Sequence, residues 1–151
     1  MPCALSMAVS FERGAMMEEG KKGVRLLLVD DEQEATHILA KRLARRGYEC
    51  RLACNGQDAL DKMDEMESQV VVMDVKMPVM DGIEALSVMA SKWPGVKVIL
   101  LSGHADMQLA VNAMSMGAFG YLMKPTDMDE LLFKIEDAVH QQELEIAMKE
   151  V

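Results

Sequence analysis

The first regular apolar run in the chain is Val24-Arg25-Leu26-Leu27-Leu28-Val29, and it stops abruptly at Asp30-Asp31. A short, nearly unbroken apolar run predicts a strand covered on both faces. Glu34 to Arg46 then carries Ile38, Leu39, Leu43 and Ala44 at helical spacing, with Gly47 as a stop. Tyr48 to Ala53 predicts a second strand and Asn55-Gly56 a turn. Ala59, Leu60, Met63 and Met66 form the stripe of a second helix. Val70 to Met73 predicts a third strand, wholly apolar, ending at Asp74. A third helix follows from Ile83 to Lys92, and Pro94-Gly95 breaks it. Val96 to Leu101 predicts a fourth strand ending at Ser102-Gly103, and Ala105 to Met116 a fourth helix stopped by Gly117. Gly120 to Met123 predicts a fifth strand ending at Lys124-Pro125. The last helix begins after Asp127, whose short acidic side chain suits an N-cap.

Strands and helices therefore alternate. Each strand-to-strand span is long enough for a crossover helix, which predicts an α/β fold: a doubly wound, five-stranded parallel sheet with helices on both faces. The regular pattern places the domain at residues 23–140, after a loose tail over 1–22, with 141–151 as a helical extension or tail. Met16 and Met17 compete with Met1 as the start.

Composition narrows the function classes. Asp and Glu outnumber Lys and Arg by 25 to 16, for a net charge of −9. An acidic chain is poorly suited to nucleic-acid phosphates and well suited to a cation or a basic partner. The three cysteines, Cys3, Cys50 and Cys54, are odd in number and lack zinc-site spacing, which fits a reducing cytoplasm. Cys50 and Cys54 share strand parity and read as buried thiols. No apolar run reaches the roughly 20 residues that span a bilayer. The sixteen methionines read mostly as core and surface filler.

The polar residues that end the strands carry the chemistry. Ligands of open parallel sheets bind at the carboxyl ends of the strands. In this chain those ends hold Asp30, Asp31, Asp74, Ser102 and Lys124. Three carboxylates at one rim repel each other, and a hard cation such as Mg²⁺ relieves that repulsion. Lys124 adds a mobile positive charge, and Ser102 a hydroxyl able to bond a phosphoryl oxygen. Phosphoryl transfer to a carboxylate fits this set, because its loose transition state asks mainly for positioning and charge neutralisation. Asp74, alone at the end of a central strand, is the candidate nucleophile. Asp30 and Asp31 are better placed as metal ligands, directly or through water. Each feature alone has an ordinary explanation, such as an acidic pair at a helix N-terminus. Their occurrence at the ends of different strands of one sheet does not.

At these residues the chain resembles the receiver domains of two-component response regulators. The resemblance spans residues 24–140 and rests on Leu28-Val29-Asp30-Asp31-Glu32, on Met73 to Gly82, on Leu101-Ser102-Gly103-His104, and on Gly117 to Pro125. It implies a flavodoxin-like strand order 2-1-3-4-5. It implies that Asp74 accepts a phosphoryl group from a histidine kinase or phosphotransfer protein. Asp31, Asp74 and the backbone carbonyl of Lys76 would bind Mg²⁺, with Asp30 acting largely through water. Lys124 would pair with the phosphoryl group across a cis Lys124–Pro125 junction, while Ser102 and Tyr121 would form the switch. Lys76 and His104 occupy positions that flank the site entrance and affect phosphoryl loss. His37 and His140 read as solvated surface. The resemblance implies a signalling phosphoacceptor rather than an enzyme with a separate substrate. Its expected output is docking through Asp106, Met107, Ala110, Met114 and Tyr121.

Three other readings compete. A phosphorylation-independent interaction module would lack the acceptor or the lysine, and both are present. The receiver of a larger transcriptional regulator would need an output domain, for which no room remains if 151 residues are the whole chain. A phosphatase using an aspartyl phosphate would need a second acid beside the nucleophile, where Val75-Lys76 stands. Finally, Leu132, Ile135, Val139, Gln142 and Ile146 fall at alternating three- and four-residue steps, a stripe that a second copy could cover to give a homodimer.

Overall fold

The computed structural model describes residues 23–150. The expected tail, Cys3 and the alternative starts at Met16 and Met17 lie outside the described residues. The elements are β1 (Arg25–Val29), α1 (Gln33–Ala44), β2 (Glu49–Ala53), α2 (Gly56–Glu65), β3 (Val70–Asp74), α3 (Gly82–Lys92), β4 (Lys97–Ser102), α4 (Met107–Ala113), β5 (Gly120–Met123) and α5 (Met128–Lys149). The strands are parallel in the order β2-β1-β3-β4-β5, as the resemblance implies.

Strand alternation divides the core into two layers. Leu27, Val29, Val71, Met73, Val98 and Leu100 face one cluster, which α2, α3 and α4 complete with Ala59, Met63, Leu86, Met89 and Ala113. Leu26, Leu28, Val70, Val72, Ile99 and Leu101 face the other, completed by Leu43 of α1 and Leu131, Ile135 and Ala138 of α5. Apolar residues on both parities explain the unbroken runs. The helix starts are specified locally. Asn55, Asp81 and Asp127 each accept a hydrogen bond from the backbone N–H three residues on.

Several expectations drawn from spacing alone change. Ile38 is exposed, because the buried face of α1 is centred on Thr36, Ala40 and Leu43. Met66 is the exposed C-cap of α2 rather than part of its stripe. Cys50 is buried, and burial pushes its thiol up to about 12. Cys54 lies beyond the end of β2 and is only half-buried. His37 is half-buried, with its Nδ1 enclosed and unpartnered. The fourth helix is not continuous over Ala105 to Met116. Its α-helical part, Met107–Ala113, lies between 3₁₀ turns at His104–Asp106 and Met114–Met116. Ala110 on that helix is fully buried, so it cannot serve as a partner contact, whereas Met114 is exposed.

The C-terminal stripe is the largest revision. Leu132, Ile135 and Val139 are core residues of this domain and are not available to a second copy. Gln142 donates to the carbonyls of Gln69 (3.1 Å) and Gly95 (2.7 Å), and Lys97 Nζ meets both carboxylate oxygens of Glu145 at 2.7 and 2.8 Å. These contacts hold the lower half of α5 against the loops that precede β3 and β4. Only Ile146 of the stripe is exposed.

Candidate functional site

The carboxyl ends of β1, β3, β4 and β5 meet as the parallel order requires. Asp30 follows β1, Asp74 ends β3, Ser102 ends β4 and Lys124 follows β5. Positions 30, 74 and 124 continue the alternation of Leu28, Val72 and Leu122, toward the α1–α5 side of the sheet. Ser102 has the opposite parity, with Val98 and Leu100. Neighbouring strands lie about 4.8 Å apart, so Lys124 must pass over β4 to reach β3. Its flexible stem does so. Lys124 Nζ donates to Asp30 Oδ2 at 2.7 Å and to Asp74 Oδ2 at 3.0 Å.

Asp30, Asp31 and Asp74 each offer a carboxylate oxygen, and the three lie within 4.8 Å of one another. Asp74 is buried and Asp31 is exposed at the rim. Burial raises the Asp74 pKa. The hydrogen bond and charge of Lys124 oppose that rise, the charge of Asp30 adds to it, and the net direction is upward. Burial also raises Asp31, reinforced by its hydrogen bond with Asp30 and by the charges of Asp30 and Asp74. Burial pulls Lys124 down, but its bonds to Asp30 and Asp74 prevail and hold it above its usual value. The cluster thus holds three acids and one ammonium, which bonds Asp30 and Asp74. Hard oxygen donors, crowded negative charge and an exposed side open to water form a donor set that fits Mg²⁺.

The surrounding backbone is tightly constrained. The Lys76 backbone N–H acts on the Asp74 carboxylate and lowers its pKa. Gly82 N–H donates to Val75 O at 2.9 Å, bringing the start of α3 against the end of β3. A Cβ on Gly82 would lie 2.3 Å from the Asp74 carbonyl oxygen. Gln33 bridges the ends of β1 and β2 through the carbonyls of Asp30 and Ala53. Ser102 is fully buried, and its hydroxyl donates to Gly103 O at 2.8 Å. Tyr121 is half-buried against the α4 side of the sheet, the side Ser102 also faces. The Lys124–Pro125 peptide is cis.

The family model for the response regulator receiver domain matches residues 26–136. The chain belongs to that family. It is a receiver domain of two-component response regulators. Along 120 residues this receiver domain is 40% identical to the regulatory protein AtoC of Escherichia coli, covering 80% of this chain and 26% of AtoC. It is 37% identical to the DNA-binding transcriptional regulator NtrC of Proteus hauseri, covering 74% of this chain and 24% of NtrC. The chain therefore spans about a quarter of the length of these curated relatives. A receiver domain protein from Clostridium thermocellum superposes with a TM-score of 0.77 at 32% identity, covering 80% of this chain and 98% of that one. Receiver domains generally bind Mg²⁺ at an acidic pocket, and phosphorylation is general to the family.

The structure brings together Asp30, Asp31, Asp74 and Lys124, with Ser102 on the strand between. His104, in the turn before α4, is exposed, as is His140. Two contributions escaped the sequence reading. Gln33 was assigned no role, and only the narrow β1–β2 separation explains it. Lys76 Nζ lies 3.8 Å from Asp106 Oδ1, a contact between two loops that no spacing rule connects. Among the described residues, no helix is long and apolar enough to cross a membrane.

Proposed function

We propose that this receiver domain takes a phosphoryl group onto Asp74 from a phosphohistidine of a sensor kinase or phosphotransfer protein. The observation that carries this reading is the Lys124 ammonium, hydrogen-bonded at once to Asp30 and Asp74 within the three-carboxylate cluster. An Asp74 oxygen forms the new O–P bond as the donor's P–N bond breaks. The electron pair leaves with the imidazole, which takes up a proton. Asp31, Asp74 and the Lys76 carbonyl, with Asp30 through water, would hold Mg²⁺. When bound, the ion neutralises charge on the phosphoryl oxygens. Lys124 leaves the carboxylates to pair with the new anion. The domain acts as a phosphoacceptor whose only catalysis is its own phosphorylation and dephosphorylation.

Ser102 then turns its hydroxyl from Gly103 O to the phosphoryl group, and Tyr121 moves into the vacated space. The face around α4 and β5 changes shape through this population shift. Met107, Met114 and Asp106 on that face are the proposed contacts for a protein partner. The domain boundaries proposed are 23–140 with a helical extension beyond, in a cytoplasmic protein whose receiver itself touches no nucleic acid. A second reading, the receiver portion of a larger transcriptional regulator, draws on the length of AtoC and NtrC, of which this chain covers 26% and 24%.

The test is intact mass after incubation with Mg²⁺ and acetyl phosphate. One phosphoryl adduct is expected, absent from Asp74→Ala and absent without Mg²⁺. An adduct that persists in Asp74→Ala overturns the assignment. If acetyl phosphate gives no adduct, beryllofluoride with Mg²⁺ should still perturb Tyr121 fluorescence. Silence in both would favour a phosphorylation-independent module.

A further inference from the structure

Asp106 stands at the N-cap position of α4, yet its side chain makes no capping hydrogen bond. Asn55, Asp81 and Asp127, in the same position on α2, α3 and α5, all do. Residue type does not explain the difference, since aspartate caps well; the backbone does, because Asp106 lies in the 3₁₀ turn with φ −109° and ψ 9°, whereas the three capping residues are extended, so a cap at 106 requires that turn to open. The carboxylate is directed elsewhere, 3.8 Å from Lys76 Nζ. Lys76 is in turn tied to the acceptor by the chain, two residues beyond Asp74 on the loop that leaves β3. A second link joins the same residue to the site. The Asp106 backbone N–H donates to Gly103 O at 3.0 Å, the oxygen that also accepts the Ser102 hydroxyl.

We propose that the Asp106 carboxylate is a two-position coupling residue: it pairs with Lys76 while Asp74 is bare and caps α4 once Asp74 carries a phosphoryl group. The proposal rests on Asp74 being the acceptor. A phosphoryl dianion competes with Asp106 for the Lys76 ammonium, and its higher charge prevails. The same anion draws the Ser102 hydroxyl off Gly103 O, which loosens the turn that holds Asp106. The freed carboxylate then accepts the N–H of Leu109, the position capped in the other three helices. The seven-residue α4, bounded by 3₁₀ turns, is the element best suited to respond to one added cap. Lys76 is 69% exposed, so its pair with Asp106 is weak enough to exchange.

The experiment is amide hydrogen exchange at Leu109, followed by NMR on the full chain, with and without Mg²⁺ and beryllofluoride. A cap of ordinary strength slows exchange about fivefold. In the unmodified protein that slowing should follow beryllofluoride. Lys76→Gln should show it without any phosphoryl mimic, as should Asp106→Asn, which keeps the capping oxygen and loses the charge. Lys76→Arg should behave as the parent, and Asp106→Ala should show no slowing under either condition. A merely structural ion pair would leave Lys76→Gln unprotected at Leu109, and that result overturns the proposal. Protection in Lys76→Gln combined with no response of the parent to beryllofluoride upholds the coupling residue and counts against Asp74 as acceptor.

Discussion

Gly82→Ala is the sharpest single test of how the fold positions the acceptor. The added methyl would lie 2.3 Å from Asp74 O, 3.1 Å from Asp74 C and 3.1 Å from Val75 Cα. All three are backbone atoms, so no rotamer change relieves the overlap. Either the end of β3 moves or α3 moves, and each carries a constraint. Val75 N–H is bound to Leu101 O at 2.9 Å, and Asp81 caps α3 through Glu84 N–H, also at 2.9 Å. Overpacking of a buried site costs about 1–3 kcal/mol, and an overlap against fixed backbone belongs at the upper end, about 3 kcal/mol. For a domain of this size that corresponds to a fall in Tm of about 10 °C. Gly103→Ala is the control, since a Cβ there meets nothing within 4 Å and its φ is an ordinary −69°. Its Tm should stay within about 2 °C of the parent. Thermal unfolding by circular dichroism reads both. A Gly82→Ala protein as stable as Gly103→Ala would refute the claim that backbone contact between α3 and β3 fixes Asp74.

Other expectations follow from the same contacts. Asp31→Asn should raise the Tm of the metal-free protein at pH 7 by about 1–3 °C. The folded Asp31 pKa is raised, so its favourable contribution is complete only below the unfolded value near 3.9 and is lost as pH rises through the folded value. The gain should therefore vanish toward pH 3, and Mg²⁺ should stabilise the parent but not the variant; a lower Tm at pH 7 would contradict this. Val79, with φ +69°, is 80% exposed and centres a tight turn closed by Met80 N–H on Pro78 O at 2.8 Å. Val79→Asn should relieve about 1 kcal/mol of backbone strain, read as a higher urea midpoint at unchanged m. Gln142→Ala should cost about 1 kcal/mol by removing the side-chain donor to Gly95 O and leaving Gln69 O with the Lys97 N–H alone. No change there would mean that the end of α5 does not dock on the domain in solution.

Much of this protein is legible from pattern. Apolar runs such as Val70 to Met73 can only be strands covered on both sides, and a polar residue at the end of each marks the site rim. Asp127, one residue before α5, is legible as a cap, whereas Asn55, which reads as a turn, and Asp81 emerge as caps only in the structure. Local chemistry fails where a face, rather than an element, must be known. Ile38 and Met66 have helical spacing yet face water, because the packing partner sets the rotation of a helix. Leu132, Ile135 and Val139 looked free for a second copy because a stripe does not say which surface covers it. The sheet of this same chain does.

The site divides along the same line. Which residues end the strands is written in the chain itself, since each strand must leave the core at its first polar position. That Asp30, Asp74 and Lys124 form one hydrogen-bonded set depends on strand order and shared parity, which bring positions 94 and 50 residues apart within 3.0 Å. That Asp106 turns to Lys76 instead of capping α4 depends on where two loops cross. Sequence order carries no distance between loops; only packing of the helices on the finished sheet does.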